Sequence, residues 1–242
     1  QGFSPSLDTV GCFARSVADV ALAYSAMVAG PEPQWERQPL SALRIGVAVV
    51  PSNGSLGPEG GAALESVLVR LGAAGARLRP IDPDPALDAL PAQQSLVMAF
   101  EAARTLASVH ARHARSMGLP LREIIEQGLL VGHDDVHTAL RCFREQRIRI
   151  DDWFDELDAI IAPAVTGVAP AGLESTGDPV YLRAWTALGL PCLSLPLAQG
   201  EQGLPVGLQL IGRGGSDLAL LAVADAILSA LCPDGIASPP LG

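Results

Sequence analysis

The chain has 242 residues, of which 49% are hydrophobic and 17% charged, and its formal net charge is −10. A chain of this length and apolar content can bury a sizeable core, and its acidic balance disfavours nucleic acid as a partner. All sixteen Lys and Arg positions hold arginine. The missing lysine excludes a Schiff-base lysine, a P-loop lysine and a lysine general base within this chain.

The cysteines and the apolar segments indicate a cellular compartment. The four cysteines, at positions 12, 142, 192 and 232, are far apart and form no CxxC pair, which is typical of a reducing compartment. No basic region followed by an apolar run opens the chain. The longest apolar stretch, 184–198, contains two prolines and is shorter than the roughly 20 residues of a membrane span. We therefore predict a cytoplasmic protein with no membrane partner.

The first half of the chain alternates between helical and extended patterns. Ser16 is a good N-cap for the first helix, and Gly30 and Pro31 end it. The β-branched run LRIGVAVV is typical of a buried strand. In chain order the patterns predict a helix over 16–28, a loop over 31–42, a strand over 43–50, a helix over 58–74, a strand over 77–81, a proline-rich loop or helical turn over 82–91, and a long helix over 92–117.

The second half continues this alternation and decides the predicted fold class. It predicts a helix over 134–157, a strand over 159–162, a loop over 163–180, a short helix over 181–188, strands over 192–197 and 206–211, and a helix over 216–231. The turn AQGEQGLP between the last two strands favours an antiparallel hairpin. The sequence therefore predicts a single α/β domain over 1–242, with a mixed β-sheet flanked by helices.

Candidate metal ligands and nucleophiles each have a plainer interpretation. The histidine pairs 110/113 and 133/137 have helical spacing, but no HExxH motif accompanies them, so we favour solvent-facing or capping roles and predict no metal site. No GxSxG motif is present. Cys192 lies on a predicted buried strand, where an inert core thiol is the simpler interpretation.

Two charged segments also have a functional and a structural interpretation. GRGGSD at 212–217 runs into a helix, as an anion-binding segment does, but Asp217 would itself occupy the positive helix end, so we favour an ordinary cap at Ser216. The arginines between 141 and 149 are followed closely by acidic residues, which favours a salt-bridged solvated face over a carboxylate-binding patch. From the residues alone, no complete catalytic set emerges.

Three motifs occur in an order that resembles a known family. The opening GFSPSLDTVGCFARSVADVALAYSAMVAG (2–30), the segment EQRIRIDDWFDELDAIIAPAV (145–165) and the closing TALGLPCLSLPLAQGEQGLPVGLQLIGRGGSDLALLAVA (186–224) are similar to segments of amidase-signature enzymes. The resemblance implies the C-terminal part of that family's α/β fold. It also implies amide hydrolysis by a serine nucleophile, with neither metal nor organic cofactor.

The resemblance places the family's catalytic residues outside this sequence. Its Ser–cis-Ser–Lys triad lies upstream of the SLDTVG segment, which begins here at Ser6. This chain has no Ser-Ser pair and no lysine, and its one GGS, at 214–216, is in the wrong region. No catalytic residue is therefore assigned. We expect the isolated chain to be inactive and a missing N-terminal catalytic segment or companion chain to complete it.

The resemblance further implies that two segments border the pocket of a small-molecule amide substrate. In the opening segment these are Ser4, Ser6 and Asp8, although turn hydrogen bonds are the competing role for Asp8. In the loop STGDPVYLRAWTALG they are Thr176, Asp178 and Trp185, with capping and core packing as the alternatives. A homodimer is possible. The alternative function is a non-catalytic pseudo-amidase, acting as a binding or regulatory subunit.

Overall fold

We describe the fold from a computed structural model, which describes residues 2–52, 54, 56–82, 84–200 and 203–233. The helices are α1 (Val17–Met27), α2 (Pro58–Ala73), α3 (Pro85–Asp88), α4 (Leu90–Thr105), α5 (Ala107–His113), α6 (Leu119–Leu130), α7 (His133–Asp151), α8 (Val180–Leu188) and α9 (Asp217–Leu231). The strands are β1 (Arg44–Val47), β2 (Arg77–Pro80), β3 (Ala159–Pro163), β4 (Cys192–Gln199) and β5 (Pro205–Ile211).

The five strands form one mixed sheet in the order β2-β1-β3-β5-β4. β1 pairs in parallel with both β2 and β3, whereas β5 pairs antiparallel with β3 and with β4. The β4–β5 pair is the predicted hairpin. The predicted mixed α/β sheet flanked by helices is therefore confirmed.

The core has two parts because helices cover both faces of the sheet. Every residue of β3 is buried, and its side chains alternate between the two parts. Ile161 packs with the cluster that includes residues of α1, α2 and α9, whereas Ile160 packs with the cluster that includes residues of α4, α7 and α8. The apolar run AIIA thus has no polar position because neither face of this strand meets water.

The helical region between β2 and β3 differs from the prediction. The single helix predicted over 92–117 is wrong, since α4 ends at Thr105 and α5 follows with its own hydrogen bonds. α6 was not predicted at all. It packs closely on α4 because Gly128 leaves room, and a Cβ atom there would lie 1.9 Å from the carbonyl oxygen of Ala99.

Three smaller boundaries also differ. The helix predicted over 134–157 ends at Asp151 and continues as a 3₁₀ turn over 152–155. The strand predicted over 43–50 is paired only over 44–47. The segment 82–91 holds the short α3 and the first residues of α4, so its helical-turn interpretation was the better one.

Candidate functional site

One edge of the sheet collects the loops that could form a site. β4 runs parallel to β3, because both are antiparallel to β5, so β1, β3 and β4 end on the same side. We call this side the carboxyl edge. In open α/β sheets, ligands bind in the crevice outside the carboxyl ends of strands. A ligand site is therefore expected at the loops that follow β1 and β3.

These loops contact one another directly. The backbone N–H of Gly57, just before α2, donates to the carbonyl oxygen of Thr166 at 3.0 Å. Gly60 is needed for this approach, because a Cβ atom there would lie 2.5 Å from the same oxygen. Gly54 lies against Tyr181 in the same way, with 2.8 Å between its Cβ position and the phenol oxygen. The loop after β1 is thus packed against the segment 164–181.

A buried glutamine fixes both ends of the segment 164–180. The side-chain nitrogen of Gln209 on β5 donates to the carbonyl oxygen of Pro163 at 2.7 Å and to that of Tyr181 at 2.9 Å. Gln209 is only 1% exposed. Hydrogen bonds shielded in this way are costly to break, since water cannot replace the lost donor. One amide therefore ties the end of β3 to the first turn of α8.

The predicted residues of this second segment have different surroundings. Thr176 and Asp178 are exposed, and Asp178 accepts a hydrogen bond at 3.0 Å from the backbone N–H of Val180. Asp178 also lies 3.9 Å from Arg183, whose guanidinium donates to Ser95 Oγ on α4 at 2.6 Å. Trp185 is 1% exposed and lies in the core. The segment therefore combines an exposed polar stretch with a buried anchor.

The predicted residues of the opening segment form a tight turn. Both carboxylate oxygens of Asp8 accept backbone hydrogen bonds, from Phe3 N–H at 2.7 Å and from Ser4 N–H at 3.0 Å. The carbonyl oxygen of Ser4 in turn accepts from the backbone N–H groups of Leu7 and Asp8. Asp8 is exposed, but these bonds already occupy its carboxylate. Asp8 thus makes the turn hydrogen bonds that were considered as its structural alternative.

A residue that the sequence did not point to anchors this turn. Glu101 on α4 accepts hydrogen bonds from Ser4 Oγ at 2.7 Å, from Ser6 N–H at 2.9 Å and from Ser6 Oγ at 2.5 Å. Ser4 is 2% exposed, whereas Ser6 is exposed. Ser95 and Glu101 are six residues apart on α4, about 9 Å along its axis. The same helix therefore holds both predicted segments.

The comparison with known proteins assigns the family. A family model described as Amidase matches residues 1–221. The chain belongs to the amidase family. A glutamyl-tRNA(Gln) amidotransferase subunit of Koribacter versatilis (strain Ellin345) is 26% identical, over 95% of this chain and 57% of its own length. The corresponding protein of Bordetella petrii (strain ATCC BAA-461 / DSM 12804 / CCUG 43448) is 29% identical, over 93% of this chain and 51% of its own length.

A solved amidase structure superimposes on this chain with a TM-score of 0.83 and 26% identity. The match covers 95% of this chain and 54% of that structure. The chain thus spans about half the length of the curated relatives and of the solved amidase that it matches. The predicted resemblance to amidase-signature enzymes is confirmed.

No catalytic set of the amidase kind is assembled among the residues that the structure describes. Neither Ser4 nor Ser6 contacts a histidine, and the sequence has no lysine. Burial, followed by the nearby charge of Asp178, raises the pKa of the Tyr181 hydroxyl, which stays protonated at neutral pH.

Cys192 is exposed as a residue, so the buried core position predicted for it is wrong. Desolvation of its sulfur nevertheless raises the pKa to about 12, which keeps the thiol inert.

The other candidate sites predicted from the sequence are occupied by structural contacts. Ser216 is the N-cap residue of α9, although its side chain makes no capping hydrogen bond. Arg213 pairs with Asp151 at 3.0 Å and with Asp155 at 2.8 Å. Over the described part of the chain, no group of three or more His, Cys, Asp or Glu is placed to hold a metal ion, and no helix is long and apolar enough to span a membrane.

Proposed function

We propose that this chain forms part of an amide-hydrolysing enzyme, in which it supplies a wall of the substrate pocket and the packing of the sheet. Another segment or a companion chain would supply the nucleophilic serine and its base. The observation that carries the proposal is a family match over residues 1–221 in a chain that has no lysine. The fold of the family is present, whereas the base that the resemblance implies is not.

The proposed reaction is acyl transfer through serine. The serine attacks the amide carbonyl, the amine leaves with a proton, and water releases the acyl group from the enzyme. Neither a metal nor an organic cofactor takes part. Holding the amide in one orientation is a large share of such catalysis, so a fixed pocket wall contributes directly to rate.

The exposed polar residues of the two segments are the proposed substrate contacts. Thr176, Asp178 and Ser6 have exposed side chains on segments that are hydrogen-bonded to α4 or to the sheet. Ser4 and Trp185 are buried, so their contribution would be to shape the pocket from behind. Asp8 would act through the turn that it closes.

The partner of this chain is proposed on the same basis. The two curated relatives described above are named as amidotransferase subunits, which implies that those proteins assemble with other chains. We infer a companion chain or segment here because the described pocket residues assemble no complete catalytic set and the chain has no lysine. Nucleic acid is not proposed as a partner, given the net charge of −10. A cytoplasmic location is proposed because all four cysteines are free thiols.

A fluorophosphonate probe tests the assignment of roles. We expect no serine of residues 1–242 to be labelled in the isolated chain. In the protein as its gene encodes it, or with its companion chain, we expect a serine outside this sequence to react. The same preparation should release p-nitroaniline from simple aryl amides. Labelled peptides identified by mass spectrometry give the position of the reactive serine.

Variants of two proposed pocket residues distinguish substrate contact from nucleophilic attack. Ser6→Ala should leave labelling in place, whereas Asp178→Ala should raise the KM for an amide substrate more than it lowers kcat. Labelling of Ser4 or Ser6 in the isolated chain would overturn the proposed division of roles. A complete protein without labelling or amide turnover would instead support the non-catalytic binding or regulatory role.

A further inference from the structure

The edge of the sheet opposite the carboxyl edge carries a cavity of its own. It lies where β1 and β2 begin and where the chain enters β3, and its volume is about 360 Å³. The residues that line it are Arg44, Arg77, Leu78, Arg79, Glu156 and Leu157. Three of the sixteen arginines of an acidic chain therefore converge on one small cavity.

The strand register explains this convergence. Arg44 and Arg77 are the first residues of two neighbouring parallel strands, and they are direct partners in the register. Arg79 follows Arg77 by two positions, so its side chain lies on the same face of the sheet. The partner of Arg79 on β1 is Gly46, against which Leu157 packs, with its Cδ1 atom 2.8 Å from the Cβ position. The register thus places three arginines on one face of the sheet where β1 and β2 begin.

Two of the three arginines already have acidic partners. Arg44 Nη2 lies 2.8 Å from Asp158 Oδ1, and its backbone N–H donates to the same carboxylate at 2.7 Å. Arg79 pairs with Glu156. These ion pairs hold the two guanidinium groups in place at the rim of the cavity.

Arg77 differs from its neighbours. Its side chain is exposed and makes no hydrogen bond or ion pair with any residue in the described part of the chain. Among the described residues that line the cavity, Glu156 is the only one with a carboxylate, and it pairs with Arg79. A guanidinium group offers a planar set of donors that matches two oxygens of one anion. Arg77 therefore lines the cavity with unused donors, and its guanidinium charge is the one there that no described carboxylate balances.

We propose that this cavity binds a compact oxyanion, the phosphate or carboxylate group of a small molecule, with Arg77 as its main donor. Arg79 and Arg44, whose charges are balanced by Glu156 and Asp158, form the walls beside it. The site lies on the opposite edge from the proposed amide pocket, and the proposal does not depend on amide hydrolysis.

The competing explanation is protection of an edge strand. β2 is an outer strand, and charged side chains there discourage pairing with other chains. That role needs a charge but not the planar donor set of arginine. Substitution by lysine therefore separates the two explanations, since Arg77→Lys keeps the charge and loses the paired donors.

Isothermal titration of the protein as its gene encodes it, with inorganic phosphate and separately with citrate at constant ionic strength, tests the site. We expect saturable binding of at least one probe. Arg77→Ala should weaken it tenfold or more, and Arg77→Lys at least threefold. Arg144→Ala is the matched control, because Arg144 is an exposed arginine on α7 that lines neither this cavity nor the candidate site. It should bind as the wild type does.

The two probes also identify the chemical class of the ligand. Binding of phosphate alone would indicate a phosphoryl group, and binding of citrate alone a carboxylate. A second measurement, the side-chain NMR signal of Arg77 during the phosphate titration, does not depend on any variant and should shift with saturation. Equal affinity in the wild type and Arg77→Ala would mean an adventitious ion only, and would overturn the proposal. The absence of saturable binding of both probes would overturn it as well.

Discussion

The two outer strands of the sheet differ in length, charge and burial. β2 has four residues, two of them exposed arginines, and it ends at a proline. β4 has eight residues without a charge, and three of them carry buried or half-buried leucine side chains. A short, charged strand ending in proline is how sheets prevent further pairing. β2 is therefore built as an outer edge of the sheet.

β4 has such protection over only part of its length. Pro196 and a register shift between Leu195 and Ala198 interrupt its second half, whereas the first half, 192–195, has neither a charge nor a proline. Within the described residues this half pairs only with β5. An uncharged free edge of this kind favours another strand. If the proposed function is right, we expect the completing segment to add there rather than at β2.

The largest predicted effect concerns Gln209 on β5, the strand that joins β4 to the rest of the sheet. Gln209→Leu removes the side-chain donor that the buried carbonyl oxygens of Pro163 and Tyr181 share. We expect the free energy of unfolding to fall by about 3 kcal/mol. Chemical denaturation measures this loss. Hydrogen exchange should show larger losses of protection in β4 and β5 than in β1 and β2.

Gln127→Leu serves as the control for this substitution. Gln127 is an exposed residue of α6 and belongs to none of the strands. The same change there should lower the free energy of unfolding by less than about 0.5 kcal/mol. Equal losses of protection at β2 and β4 in the Gln209 variant would contradict the expectation that Gln209 stabilises mainly the β4–β5 side of the sheet.

The next effect tests the free edge itself. We expect the isolated chain to self-associate through β4, and Ser194→Lys should weaken this association about tenfold, because an edge lysine resists pairing. Ser194 is an exposed residue in the uncharged half of β4. Sedimentation velocity over a range of concentrations gives the association constant.

Ser66→Lys makes the same charge change on the exposed surface of α2 and should leave association unaltered. A wild-type chain that stays monomeric at high concentration would show that β4 is protected in some other way. So would a Ser194 variant that associates as strongly as the wild type.

The sequence predicted the sheet better than the helices around α4, for a physical reason. Strand positions were marked by short apolar runs between prolines and glycines, and both the mixed sheet and the hairpin followed from them. The break between α4 and α5 has no such mark, because Thr105 and Leu106 are ordinary helix residues. α6 was not predicted, and the sequence does not show that Gly128 allows α4 and α6 to touch.

The site was predictable only in part, because its anchors act across long distances in sequence. The two polar segments could be named from their motifs, but Glu101 is separated from the serines it holds by 95 and 97 residues. Nothing in the Ala-rich helix around Glu101 indicates that role. Gln209 stood as the one polar residue in an apolar strand, LQLI, and that contrast was the available signal.

The smallest predicted effect concerns the ion pair at the start of β1. Desolvation opposes ionisation of Asp158, but hydrogen bonds from the side chain and backbone of Arg44 outweigh it and lower the pKa of the carboxyl. The stabilisation is therefore complete well above the unfolded pKa of about 3.9 and is lost as the pH falls through the lower folded value. Both side chains are partly exposed, so water screens the pair.

Asp158→Asn should consequently lower the free energy of unfolding by about 1 kcal/mol at pH 7, and the difference from the wild type should narrow below pH 4. Denaturant titrations from pH 7 to pH 2.5 measure this trend. Asp152→Asn, at an exposed carboxylate with no ion pair to a described residue, should show no such trend. A constant difference across the whole pH range would mean that Asp158 supports β1 by its shape and not by its charge. The start of β1 would then be held by packing and backbone hydrogen bonds.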